Sequence, residues 1–254
     1  LYLANFLFMP LGIAGGLYFF NQDKPISKSK LLPLILAILL IIVLGISRGA
    51  YIALAFMILF FAIFLARKFI TIKNIIITTI SILIIGGASY GFLSYSNPEA
   101  IDEFVRHAKV EDYAQGESVQ KRLRDLDKAI KFWETSPVIG IGPANYGPAY
   151  KDNPSHDEVT DWEIVNNQYI ETLADTGILG LIFLLLTFIF VIWRSVIAFF
   201  TTHDQLLKSL LFGLVAAFIA ILVQYNFFST LYIMHIWFLI ALIIAVQNLA
   251  FKKQ

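Results

Sequence analysis

The 254-residue chain contains no cysteine, which removes disulfide frameworks, thiolate catalysis and cysteine-ligated metal from consideration. Charge is scarce as well. Charged residues make up 15% of the chain and hydrophobic ones 58%, too apolar for a soluble domain, in which the apolar share is about half or less. The net charge of +1 says little about partners because the charges are segregated along the chain, and nothing encourages a nucleic-acid partner. The four histidines, His107, His156, His203 and His235, show no i, i+4 pairing, so no metal site is expected. The chain opens at Leu1 inside an apolar segment without the basic start of a signal peptide, and reads as the C-terminal part of a longer protein.

Long apolar runs are what the sequence does have. They cover residues 1–20, 31–46, 50–66, 74–93, 175–193, 206–224 and 231–247. At about 1.5 Å per residue, ~20 residues cross the roughly 30 Å of bilayer hydrocarbon. The expected fold is all-α, a polytopic transmembrane helical bundle of about seven spans with a helical extracytoplasmic loop domain. Four spans fall in residues 1–95, the loop domain in 96–165 and three spans in 166–254. Only Asp23 and Asp204 lie outside residues 99–175, so 16 of the 18 acids gather in and beside that loop.

Short-loop basic residues set the orientation. Lys24, Lys28, Lys30, Arg67, Lys68, Lys73, Arg194, Lys208, Lys252 and Lys253 fall in one set of connections, and Arg48 alone in the other. The first set is expected to be cytoplasmic. Arg48 and the polar insert then share the outer face, because two crossings separate them.

Within the insert, Ser96-Asn97-Pro98-Glu99 predicts a short helix to about residue 109. From Ser118, the residues Val119, Leu123, Leu126, Ile130 and Trp133 form one helical stripe, ended by Ser136-Pro137. At about 100° per residue Arg122 lies roughly 60° from the centre of that stripe, whereas Arg124 points away. Arg122 therefore reads either as a residue turned towards the packed face or as a snorkelling arginine whose stem covers apolar surface. Arg48, between Ser47 and Gly49, reads either as an interfacial anchor or as a guanidinium open to a phosphate, which it would bind bidentately.

Gly140-Ile141-Gly142-Pro143 lacks the spacing and the preceding strand of a nucleotide loop, and is expected to be a close-approach turn. His107 and His156 are the outer-face candidates for acid or base work. Glu171 and Asp175, four apart, share a face of a helix entering the membrane, where they matter if that face lines a cavity.

Three separated motifs, the SRG turn at Arg48, the Arg122 helix followed by TSPVIGIGPANYG, and NNQYIETLADTGILG, together resemble the O-antigen ligase and O-antigen polymerase superfamily of bacterial envelope glycosyltransferases. The resemblance covers about residues 47–180. It implies transfer of a glycan from an undecaprenyl diphosphate carrier to an acceptor at the extracytoplasmic face of the bacterial cytoplasmic membrane, with no cofactor and no metal. It matches Arg48 and Arg122 to the two arginines that engage the diphosphate, and Asp175 to the acid of an acid-Thr-Gly turn, giving the catalytic set. Asn166, Asn167, Tyr169, Gly140, Gly142 and His156 are the expected substrate-binding residues. The implied partners are the carrier-linked glycan, the lipid bilayer and a chain-length regulator.

Family ligases carry a His-Asn pair where this chain has Asn166-Asn167, and an amide is no general base at neutral pH. That favours a polymerase, whose acceptor is a second carrier-linked glycan. The alternatives are a ligase that transfers finished glycan to lipid A core or protein, and a transporter with the insert as its lid. The near absence of ionisable residues in the spans argues against the transporter.

Overall fold

The computed structural model describes residues 2–20, 27–69, 117–151 and 163–252. They form helices α1 (Tyr2–Phe20), α2 (Lys28–Leu44), α3 (Arg48–Phe69), α4 (Glu117–Thr135), α5 (Tyr146–Lys151), α6 (Gln168–Thr201), α7 (Gln205–Gln224) and α8 (Met234–Lys252). The described residues contain no strand, as the all-α reading expects. Five helices, α1, α3, α6, α7 and α8, are long and apolar enough to cross a membrane. The count of about seven spans is a mild overstatement against those five. Helix α2 is apolar but has 17 residues; the expected span at 74–93 lies outside the described residues, as do the helix at 96–109, His107 and His156.

Helix α7 is the axis of the bundle. Its closest neighbour is α1, where small residues four apart let the two backbones touch. A β-carbon on Gly12 would strike the carbonyl of Gly213, one on Gly213 that of Gly12, and one on Gly16 that of Ser209. Further along, the Phe212 ring sits among those of Phe20, Phe60, Phe61 and Phe64, with centroids 4.4 to 5.2 Å away. Helix α6 joins α8 through buried Gln247, whose Nε2 donates to the Val191 carbonyl at 2.9 Å and to Ser195 Oγ at 2.7 Å.

The two ends of the bundle differ in chemistry. One gathers the start of α1, the α2–α3 turn, the start of α6 and the loop 225–233: Tyr2 stacks edge-on to Phe228 at 4.7 Å, and Asn5 Nδ2 donates to Thr230 Oγ1 at 3.0 Å. The other holds the Phe20, Phe64 and Phe199 rings with Lys28, Arg194 and Lys208 over aromatic faces nearby.

Helices α4 and α5 pack on the first turns of α6 around Ala129, Tyr146, Val165 and Ala174. The face that α4 buries is not the expected stripe. Its fully buried positions are Asp125 and Ala129, while Leu123 is 53% exposed, a rotation of about 90°. Contact with other elements set the face: Ala129 is small enough for close approach, and the Asp125 carbonyl accepts the Tyr146 hydroxyl at 3.0 Å. The rotation brings half-buried Arg122 to within about 40° of the buried line, and Arg124 remains exposed.

Candidate functional site

The centre of the polar end is a break in α6. Gly177 takes φ 66° and ψ −170°, a conformation open essentially to glycine alone. Such a break orphans the carbonyls of Ala174 and Asp175 and the N–H groups of Ile178 and Leu179. The turn after α4 satisfies all four. Ile141 N–H donates to Ala174 O at 3.0 Å and Gly142 N–H to Asp175 O at 2.8 Å; Ile178 N–H donates to Pro137 O at 3.0 Å and Leu179 N–H to Val138 O at 3.3 Å. Gly140, at φ 68°, completes the fit, because a β-carbon there would enter the Asp175–Thr176 backbone. The close-approach turn expected from the sequence is therefore spliced into the helix.

Asp175 holds the rest of the loop. Only 2% exposed, it accepts from Ala144 N–H at 2.9 Å and the Tyr232 hydroxyl at 3.2 Å on Oδ2, and from Tyr146 N–H at 2.9 Å on Oδ1. Although Tyr232 is largely exposed as a residue, partial burial of its hydroxyl end, and after it the Asp175 carboxylate, push that hydroxyl above its ordinary range, so it is the donor. One turn earlier, buried Glu171 accepts from Val165 N–H at 2.9 Å. The two acids share a face, as their spacing requires, and that face packs against protein.

The amide pair does backbone work. Asn167 caps α6, accepting from the N–H groups of Tyr169 and Ile170 at 3.1 Å each. Asn166 sits at φ 56°, a left-handed conformation that asparagine tolerates better than most residues. The Tyr169 hydroxyl donates to Leu222 O at 2.7 Å, tying α6 to α7.

Arg48 begins α3, half-buried, behind a turn in which Ser47 Oγ accepts from Ala50 N–H at 3.3 Å and the Tyr51 hydroxyl donates to Val43 O at 2.6 Å. A β-carbon on Gly49 would strike the Phe227 side chain, so the SRG turn lies directly on the loop 225–233.

In the sequence that loop reads as a short connection between two apolar runs. Gln168, which no spacing singles out, is its anchor. The Gln168 Oε1 accepts from Thr230 N–H at 2.8 Å and Leu231 N–H at 2.7 Å, while its own N–H donates to Tyr225 O at 2.8 Å. Asn167 Nδ2 reaches Asn226 O at 3.5 Å, and Tyr232 reaches Asp175. The only sequence signal was the interruption of apolar text by Gln224, Asn226, Ser229 and Thr230.

The structure thus brings Gly140, Gly142 and Asp175 into direct contact, and gathers Asn167, Asp175 and the Arg48 turn around one loop. Arg122 is half-buried on α4, the helix that packs on α6, and among the described residues it has no hydrogen bond or ion pair. His156 lies outside the described residues. Among the described residues no three His, Cys, Asp or Glu side chains are grouped to hold a metal.

A family model described as O-antigen ligase matches residues 33–185, from α2 through the break in α6. No curated protein and no solved structure matches the chain. The matched segment is more than half of the chain and contains the SRG turn, α4, the spliced turn and the amide pair, so this multi-pass membrane protein belongs to the O-antigen ligase family.

Proposed function

We propose that the chain is a glycosyltransferase that lengthens a surface polysaccharide, taking an oligosaccharide from an undecaprenyl diphosphate carrier and joining it to a second carrier-linked glycan. The observation that supports this best is the meeting of the SRG turn, the α6 entry and the spliced turn at one end of the bundle. Arg48 and Arg122 are the proposed diphosphate ligands. The bond from the anomeric carbon to the diphosphate oxygen breaks, the acceptor hydroxyl oxygen bonds to that carbon, and the hydroxyl proton leaves to a base or to the departing diphosphate. Negative charge grows on that diphosphate, and fixed guanidinium groups lower the barrier most where charge develops. No step draws on a metal or nucleotide sugar, and activity should persist in a chelator.

Asp175 enters this scheme as a positioning residue, since three donors already occupy its oxygens. The proposed active face is extracytoplasmic: Lys28, Lys208 and Lys252 sit at the opposite end of the bundle from Arg48, in the pattern of basic cytoplasmic loops. The ligase is the second reading, favoured by the description of the matching family model. A deletion strain separates the two. Loss of long chains with single repeat units retained supports the polymerase, finished polymer stranded on its carrier supports the ligase, and an unchanged glycan profile refutes both.

A further inference from the structure

The turn that splices into α6 carries two exposed branched apolar residues, Val138 at 55% and Ile139 at 68% exposure. They do not stand alone. The hydrogen bonds from Ile178 N–H to Pro137 O and from Leu179 N–H to Val138 O hold them against the first turn of the unbroken apolar part of α6. There Ile178, Leu179, Ile182, Phe183 and Leu186 form an exposed apolar stripe on a membrane-crossing helix. The turn extends that stripe sideways.

Much of its backbone is already prepared for an apolar medium, and the N–H groups of Val138 and Ile139, which have no partner among the described residues, are left to the lipid carbonyl and headgroup layer. Pro137 has no N–H, the carbonyls of Pro137 and Val138 accept from α6, and the N–H groups of Gly140, Ile141 and Gly142 donate to Ser136, Ala174 and Asp175. Satisfied backbone groups are what hydrocarbon demands of any chain that enters it. Charge is missing too: no residue between Glu134 and Lys151 is ionisable as acid or base in the ordinary range, although the neighbouring α4 carries acids and bases throughout. Interfacial aromatics flank the turn. The Trp133 indole donates to Pro137 O at 3.0 Å; at the same end of the bundle Trp237, 46% exposed as a residue, donates its indole N–H to Leu231 O at 2.7 Å. Such rings mark the depth at which hydrocarbon meets headgroups.

We propose that the turn 136–140 is a bilayer-inserting wedge, with Val138 and Ile139 entering the acyl region of lipid beside the start of the α6 span. The wedge fixes α4 at headgroup height. On the function proposed above, that is the height at which the diphosphate of a lipid-linked substrate would meet Arg122, but the insertion itself does not depend on that function.

Because the chain has no cysteine, Ile139→Cys gives a single labelling site for an environment-sensitive nitrobenzoxadiazole probe on the full chain in phosphatidylethanolamine–phosphatidylglycerol vesicles. Lys131→Cys, on the exposed side of α4, is the reference. The expected result is blue-shifted emission at position 139, quenched several-fold more strongly than at 131 by lipids with a nitroxide near the top of the acyl chain, and insensitive to aqueous iodide. Iodide quenching at 139 overturns the wedge, because the turn then faces water. Shielding from both quenchers overturns it as well, because protein then covers the turn. Equal lipid quenching at 131 also overturns it, since insertion would not be a property of the turn. None of these readings requires glycosyltransferase activity, so the outcome is separable from that of the proposed function.

Discussion

The amide of Tyr146 donates to Oδ1 of Asp175 across 2.9 Å, joining positions 29 residues apart and fastening the extramembrane loop to the broken helix that starts the next span. With Ala144 N–H and the Tyr232 hydroxyl on the other oxygen, one carboxylate holds three segments together. A carboxylate so engaged is built to position.

Asp175→Ala leaves one buried N–H, one part-buried N–H and one hydroxyl without their acceptor, and should cost about 2–4 kcal/mol. Asp175→Asn keeps one acceptor oxygen and should cost about half of that. Thermal unfolding in detergent, read beside glycan chain length, checks the pair. Activity should fall in step with stability; an Asn variant that folds normally yet makes no polymer would move Asp175 into the reaction itself.

Arg122→Ala should abolish long glycan chains at unchanged membrane content, whereas Arg124→Ala should be nearly silent. The contrast follows from α4, where Arg122 lies beside the buried line and Arg124 is exposed. Arg122→Lys should rescue only in part, since an ammonium loses the planar fork that binds phosphate oxygens in pairs. Glycan ladders from complemented deletion strains decide this, and a silent Arg122 with a damaging Arg124 would invert the assignment.

Arg48→Ala should likewise remove polymer without loss of folded protein, because Ser47 and Tyr51 close the turn through their own hydrogen bonds. A large drop in membrane-inserted protein would instead make Arg48 an anchor of the hairpin. Quantitative immunoblotting of membranes, beside the glycan ladder, distinguishes the two.

Much of this architecture was legible in the residue text, and the failures share a cause. Apolar runs of about 20 residues identify membrane helices because length and hydropathy are local properties. Glycines read as close approach proved to be so at Gly140, where no β-carbon fits. The buried face of α4 departs from the apolar stripe because its partner is chosen by tertiary contact: Asp125 and Ala129 are buried, and Leu123 is left out. Gln168 and the loop 225–233 are illegible in the sequence for the same reason. Their hydrogen bonds run between residues 62 and 63 apart, a distance at which no spacing rule operates.

Gly177→Ala should be among the most damaging small substitutions in the chain. Its backbone lies where only glycine is at ease, a strain of about 1–3 kcal/mol for any other residue, and the new methyl would strike the Val138 backbone. Relief of either problem would straighten α6, and a straightened α6 pairs with each other the four backbone groups now bonded to the turn 136–142, replacing four bonds to the turn by two within the helix. The expected outcome is loss of protection of residues 136–146 in hydrogen exchange while the α7 core stays protected. Unchanged exchange in the turn would show that the splice does not depend on the break.

By the resemblance of the sequence, Asn166 and Asn167 stand in place of a His-Asn pair, and their geometry gives the two amides separable duties. Asn167→Ala removes the α6 cap and should cost about 1 kcal/mol, whereas Asn167→Asp keeps an oxygen for the same two N–H groups and should retain stability. Asn166→Gly preserves the left-handed backbone at φ 56° and deletes only the amide. If Asn166 serves through its backbone, the glycine variant should polymerise normally and Asn166→Val, strained at positive φ, should not. Loss of polymer in the glycine variant at full stability would mean that the amide itself touches substrate, and the acceptor side of the reaction would then have to be drawn around Asn166.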